Sequence, residues 1–139
     1  MAVDGLKEIQ TRAEQGDAGA QDKLGVMYYE GQGVPQNYAE AVKWLRKAAA
    51  QNDASAQRHL AFCYANGRGV VKDEAEAFKW DLLAAAQGDT EAKRNASLLE
   101  LLMLSKEEIA EGKKRAQDWL EQRKNDSPKK TGTEPRKDN

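Results

Sequence analysis

The stretch Ala18–Asp53, AGAQDKLGVMYYEGQGVPQNYAEAVKWLRKAAAQND, is followed at once by a second version of itself, Ala54–Asp89, ASAQRHLAFCYANGRGVVKDEAEAFKWDLLAAAQGD. Aligned without a gap, 18 of the 36 pairs are identical. The shared positions include Ala20, Gln21, Leu24 and Tyr28, then Gly31, Gly33 and Val34, then Ala41, Trp44, Ala48, Gln51 and Asp53. Half identity in an ungapped copy marks a repeat protein. The register continues outward in weaker form. Ile9, Ala13 and Asp17 precede Leu45, Ala49 and Asp53 by one unit, and Ala92 and Ala96 follow Ala56 and Leu60 by one.

Each unit reads as a pair of helices. The first opens on an Asp N-cap at Asp17, Asp53 and Asp89, whose carboxylate can accept from the free amides of the first turn. Ala20, Leu24 and Tyr28 then recur at i, i+4 and i+8 on one helical face, as do Ala56, Leu60 and Tyr64. Gly31 and Gly67 stand where a left-handed C-cap favours glycine. The second helix opens with Asn37-x-x-Glu40 and Asp73-x-x-Glu76, both close to capping boxes, and buries a stripe of Ala41, Trp44, Leu45, Ala48 and Ala49. A last helix starts at Ser105-x-x-Glu108, with Ile109, Ala116, Trp119 and Leu120 as its apolar positions. Seven helices are predicted, near 4–15, 18–30, 38–51, 54–66, 74–87, 90–103 and 106–123.

A single helical pair cannot bury both of its faces, and stacking of pairs can. The predicted fold is therefore all-α: a right-handed α-solenoid of helical hairpins, with Trp44 and Trp80 filling the space between neighbours. The array divides into a half repeat (4–17), repeats at 18–53 and 54–89, and a degenerate repeat with a capping helix (90–124). The capping helix is expected to cover the Leu98–Leu104 cluster. Residues 125–139 carry no aromatic or aliphatic side chain and read as a flexible polar tail.

Composition narrows the function. The chain has 139 residues, 22 basic and 23 acidic, for a net charge of −1, so no global field favours nucleic acid or an anionic membrane. It has no apolar run of about eighteen residues, so no membrane insertion is expected. The single Cys63 excludes an intramolecular disulfide, and with the single His59 it leaves no set of ligands for a metal. No cofactor is expected. The opening Met1-Ala2-Val3-Asp4 has no basic or apolar signal region; a cytoplasmic start and a start left by a removed signal read alike.

The unit A-x-A-Q-x-x-L-(G/A)-x-x-Y-x-x-G-x-G-V, followed by A-E-A-x-K-W and A-A-A-Q-x-D, resembles the Sel-1-like repeat, a relative of the tetratricopeptide repeat. The paired glycines at 31/33 and 67/69 and the Ala-x-x-Trp spacing at 41/44 and 77/80 carry the resemblance. The segment Leu104–Glu111 with Trp119 looks like the capping helix of bacterial members. The third unit departs from the pattern, with Ala96, Ser97 and Glu100 at the Leu, Gly and Tyr positions and no double-glycine loop. The resemblance implies binding rather than catalysis: an adaptor for a protein or peptide partner. An alternative that it also implies is an immunity protein neutralising a secreted toxin such as a lipase. The chain is expected to be monomeric when free.

In helical-hairpin repeats, first-helix residues off the buried stripe line the concave face. Here these are Asp22, Val26 and Tyr29, then Arg58, Phe62 and Ala65, then Arg94, Leu98 and Leu101. Val26, Phe62 and Leu98 recur at the repeat spacing and are expected to stack as an apolar line, with Arg58 and Arg94 beside it offering charge to an acidic partner. Three other constellations hold residue types that can carry chemistry. His59 and Cys63, at i and i+4, would share a helix face as a nucleophile pair, but His59 aligns with solvent-facing Lys23 and no third group orients it. The Gly-x-Gly pairs follow helices rather than strands and lack the Lys-Ser/Thr of a phosphate loop. The runs Lys113-Lys114-Arg115 and Lys129-Lys130 are preceded by acidic residues and read as solvated surface, not as a nucleic-acid site.

Overall fold

The computed structural model describes residues 2–126. Seven α-helices follow one another: α1 Ala2–Glu14, α2 Ala18–Glu30, α3 Tyr38–Ala50, α4 Ala54–Asn66, α5 Glu74–Ala86, α6 Thr90–Leu98 and α7 Lys106–Asp126. A π-helical turn, Leu99–Met103, extends α6. The hairpins α2–α3 and α4–α5 are the two full repeats, stacked through α3 and α4, with α1 at one end and α6 and α7 at the other.

Local chemistry sets the boundaries. The carboxylates of Asp17, Asp53 and Asp89 accept from the amides of Ala20, Ala56 and Ala92 at 3.0, 2.9 and 2.9 Å. Gly31 and Gly67 close α2 and α4 in the left-handed region, at φ 73° and 66°, and their amides donate to Met27 and Cys63. Asn37 and Asp73 cap α3 and α5 in the same way, but their capping boxes stay half made. Their own amides donate to the Tyr28 and Tyr64 carbonyls, which frees Glu40 and Glu76 for other partners. Ser105 and Glu108 complete the reciprocal box at the start of α7, at 2.9 and 3.1 Å.

The core is apolar and built from small residues. Ala41, Ala48, Ala56, Ala77 and Ala84 are fully buried and let helices approach, while Leu24, Leu45, Leu60, Phe78 and the two tryptophans Trp44 and Trp80 fill what remains. Two buried glutamines lock the stack. Gln21 donates to the Ala13 carbonyl at 3.0 Å and accepts from Gln51 at 2.8 Å; one repeat later Gln57 donates to Asn52 and accepts from Gln87, both at 3.0 Å. Each is a side-chain staple between successive hairpins, which is why Gln21 and Gln51 recur as Gln57 and Gln87.

The terminal elements differ from expectation. The predicted helix 90–103 divides at Leu98. The wider turn beyond it closes on a hydrogen bond from the Leu104 amide to the Leu99 carbonyl, 2.9 Å long. Only Leu99 of that turn is buried; Leu101 and Leu102 are 78% and 76% exposed. The capping helix therefore does not cover the Leu98–Leu104 cluster. It packs instead on α5, where Trp119 meets Trp80 edge to face with centroids 5.6 Å apart. Arg115 donates to Glu76, Glu111 and Asp73 at 2.8, 2.9 and 3.1 Å. α7 continues to Asp126, beyond the predicted end near 123 and into the first two residues of the predicted tail; the remainder of that tail lies outside the described residues.

Candidate functional site

The three first helices, α2, α4 and α6, present side by side the residues the repeat spacing aligned. Two grooves separate them. The first, of about 230 Å³, runs between α2 and α4 and is bordered by Val26, Tyr29, Arg58, His59 and Phe62, with Leu45 of α3 among its lining residues. The second, of about 200 Å³, runs between α4 and α6, bordered by Phe62, Ala65, Asn66, Asn95 and Leu98, with Asp81 of α5 in the place of Leu45. Phe62 borders both, as does Asn95.

Val26, Tyr29 and Phe62 meet at the first groove, and Phe62 and Leu98 at the second. Phe62 and Leu98 are 51% and 49% exposed, which is high for side chains of that size. Tyr29 stands edge-on to Phe62, centroids 6.1 Å apart, and its hydroxyl accepts from Arg68 at 2.9 Å. Burial pushes the Tyr29 phenol up, against the pull of Arg68. Arg68 also lies over the Tyr38 ring, 5.5 Å from its centroid, and so fixes the tyrosine wall from the loop after α4. Sequence reasoning gave Arg68 no role. Leu101 stands on the π turn, outside the lining residues of both grooves.

The charged members behave differently from expectation. Asp22 is tied to His59, whose Nδ1 lies 2.9 Å from its Oδ1, so His59 bridges α4 to α2 and is half-buried rather than solvent-facing. Arg58 donates from Nε to Asp89 at 3.2 Å and lies 3.6 Å from Glu91, so its charge is already satisfied within the chain. It is not the free cation expected to meet an acidic partner. Arg94 is exposed on α6. The basic run on α7 is likewise engaged: Lys113 pairs with Glu100, Lys114 with Asp118, and Arg115 with the carboxylates of α5.

The nucleophile pair does not assemble. His59 turns to Asp22, and Cys63 is buried, which pushes its thiol up to about 11. A reactive cysteine needs the opposite shift. Among the described residues no three His, Cys, Asp or Glu side chains are grouped to hold a metal ion, and no helix is long and apolar enough to cross a membrane.

Asp81 is the feature that sequence reasoning missed. Its side chain is 4% exposed and its Oδ1 has no hydrogen-bond partner. Burial pushes its carboxyl up to about 8, with Asp89 and Glu91 adding to the rise and Arg58 opposing it. The signal was present in the alignment, where Asp81 stands opposite core Leu45.

The Sel1 repeat matches residues 18–53 and 54–89, and the chain belongs to the Sel1 repeat family. Among solved structures it is similar to a Sel1 repeat protein from Oxalobacter formigenes, at 38% identity over 66% of this chain and 26% of that one, with a TM-score of 0.64. It is also similar to c5321, a protective antigen present in uropathogenic Escherichia coli strains displaying an SLR fold, at 32% identity over 86% and 27% of the two chains and a TM-score of 0.71. Helicobacter pylori cysteine-rich protein B matches at 26% identity over 65% and 68%, with a TM-score of 0.62. This chain thus spans about a quarter of the length of the first two. No curated protein matches it. Sel1 repeats generally serve as non-enzymatic scaffolds for protein–protein interaction.

Proposed function

We propose that this protein is a non-enzymatic interaction module that holds a protein or peptide partner on the face formed by α2, α4 and α6, the concave side of such arrays. The observation that carries the reading is Phe62. A large apolar ring stands half exposed at the centre of that face, bordering two grooves, with Tyr29 and Val26 on one side and Leu98 on the other. An apolar anchor flanked by shaped grooves is the usual centre of a binding energy distribution. The supporting shell is rigid, since Arg68 pins Tyr29 and the Asp22–His59 bond joins α2 to α4.

The test is photo-crosslinking from this face. A benzoylphenylalanine at position 62 or 98 captures the partner in the native source, whereas one at Lys43, on α3, does not. Phe62→Ala lowers the affinity for that partner by roughly 2 kcal/mol or more while leaving the fold intact. Capture from position 43 alone, or undiminished affinity in the folded variant, overturns the reading. The size and lifetime of the captured complex separate an adaptor from an immunity protein. A single folded partner held with slow dissociation marks an inhibitor; exchangeable peptides mark an adaptor.

A further inference from the structure

The two grooves occupy equivalent places one repeat apart, and their linings differ most in chemistry at one second-helix position. Each is walled by a pair of first helices, with a second-helix residue among its lining: Leu45 in the first, Asp81 in the second, one repeat apart. A leucine there completes an apolar slot. An aspartate there is costly, because a buried carboxylate oxygen needs a partner and the Oδ1 of this one has none. We propose that the second groove is a recognition site for a lysine side chain of the bound partner, with the Asp81 carboxylate as counter-ion to its ammonium. This deepens the proposed interaction face and rests on it.

The walls suit a lysine. Phe62, Leu98 and Met103 offer apolar surface for its methylene stem. Asn66, also in the lining, spends an Nδ2 hydrogen on the Phe62 carbonyl, at 2.9 Å, and so keeps its Oδ1 as an acceptor. The charges bearing on Asp81 are Arg58 from α4 and Asp89 and Glu91 from the opening of α6. Arg58 is held by those same two acids. With Asp81 ionised, three carboxylates then face one guanidinium, and an incoming cation is the charge the site lacks. The raised carboxyl, at about 8, means that the site fills its charge only when a cation arrives or the pH rises. An acidic partner residue would meet the wrong sign here.

The probe is a pair of pentapeptides, acetyl-Ala-Leu-Lys-Leu-Ala-amide and its norleucine analogue, which differ only in the ammonium. Binding is followed by amide chemical shifts in the full-length protein. The lysine peptide is expected to shift Phe62, Asn95 and Leu98 and to bind at least about tenfold more tightly than the norleucine peptide at a pH near 8.5. Its advantage falls roughly tenfold or more by a pH near 6.5, because only the ionised fraction of Asp81 is competent while lysine stays charged throughout. Asp81→Asn removes the pH dependence, and Asp81→Leu, which restores the residue of the first repeat, reverses the preference. Equal binding of the two peptides, or an unchanged lysine preference in Asp81→Leu, overturns the lysine site while leaving the interaction face standing. No shift at Phe62 with either peptide overturns both.

Discussion

The ring of Phe78 occupies the place where residue 112 would carry a β-carbon: a Cβ on Gly112 would stand 2.6 Å from Phe78 Cδ2 and 3.0 Å from the Ala75 carbonyl oxygen. Gly112 lies inside α7, where glycine costs helix stability relative to alanine. Its presence is explained by contact. α7 must approach α5 closely enough to set Trp119 against Trp80 and Arg115 against Asp73 and Glu76, and no larger residue allows it.

Gly112→Ala is therefore expected to destabilise the fold by about 1–3 kcal/mol, although alanine is the better helix former. Phe78 is fully buried and cannot give way. Urea unfolding measures it. A midpoint equal to or above that of the parent would mean that α7 does not pack on α5 in solution.

Asp81→Leu is expected to stabilise, because it replaces a buried carboxylate whose Oδ1 is unpartnered with the residue that serves the same place in the first repeat. The pH dependence gives a second readout. The folded carboxyl is raised to about 8, against an unfolded value of about 3.9. Between those values the folded state holds the proton more tightly. The carboxyl's neutral form is therefore favoured in the fold, and stability declines as pH rises from about 4 to about 8, then levels. Thermal melts of the parent should show that decline, and melts of Asp81→Leu should lose most of it. Parallel pH profiles would show that Asp81 is solvated.

What the sequence made legible follows from repetition. A residue that recurs one unit later faces an equivalent neighbour, so the caps at Asp17, Asp53 and Asp89 and the tryptophans at 44 and 80 were readable from local chemistry plus spacing. Gln21 and Gln57 also recur, but identity does not tell a buried staple from a solvated side chain; only the geometry of the adjacent hairpin does. The ends were less legible because they repeat nothing. Gly112 meets Phe78 in a contact with no counterpart elsewhere, and Leu99–Met103 has helical composition yet leaves α-geometry. The candidate face was readable as a line of positions, Val26, Phe62 and Leu98. Its charges were not, since whether Arg58 is free depends on the rotamers of Asp89 and Glu91 across a helix boundary.

That distinction separates the two arginines. Burial alone would raise the Asp89 carboxyl, but the Ala92 amide and Arg58 outweigh it and hold it below its usual range. Arg58→Glu removes this support and adds a carboxylate beside Asp81, Asp89 and Glu91, so a loss of about 2 kcal/mol is expected, largest at neutral pH and smaller as the acids are protonated. Arg94→Glu, at an exposed site, is expected to change stability by less than about 0.5 kcal/mol. Denaturant melts of the two variants decide it. Equal stabilities would mean that the Arg58 pairs contribute nothing in solution, and only then is Arg58→Glu a clean probe of partner binding.

The π turn supplies the last contrast. It exposes Leu101 and Leu102 while burying Leu99 between α5 and α6 at 8% exposure. If α7 covered the whole cluster, all three leucines would carry stability. With the turn as observed, Leu101→Ser with Leu102→Ser removes side chains that already face water, and the melting temperature should stay within the equivalent of about 0.5 kcal/mol. Leu99→Ala opens a cavity in packed surroundings and should cost about 2–5 kcal/mol. The two serines also remove a contiguous apolar patch, so any concentration-dependent self-association seen by sedimentation should weaken in the double variant. A large loss of stability in that variant would place Leu101 and Leu102 under α7 and would turn the face of α6 away from solvent.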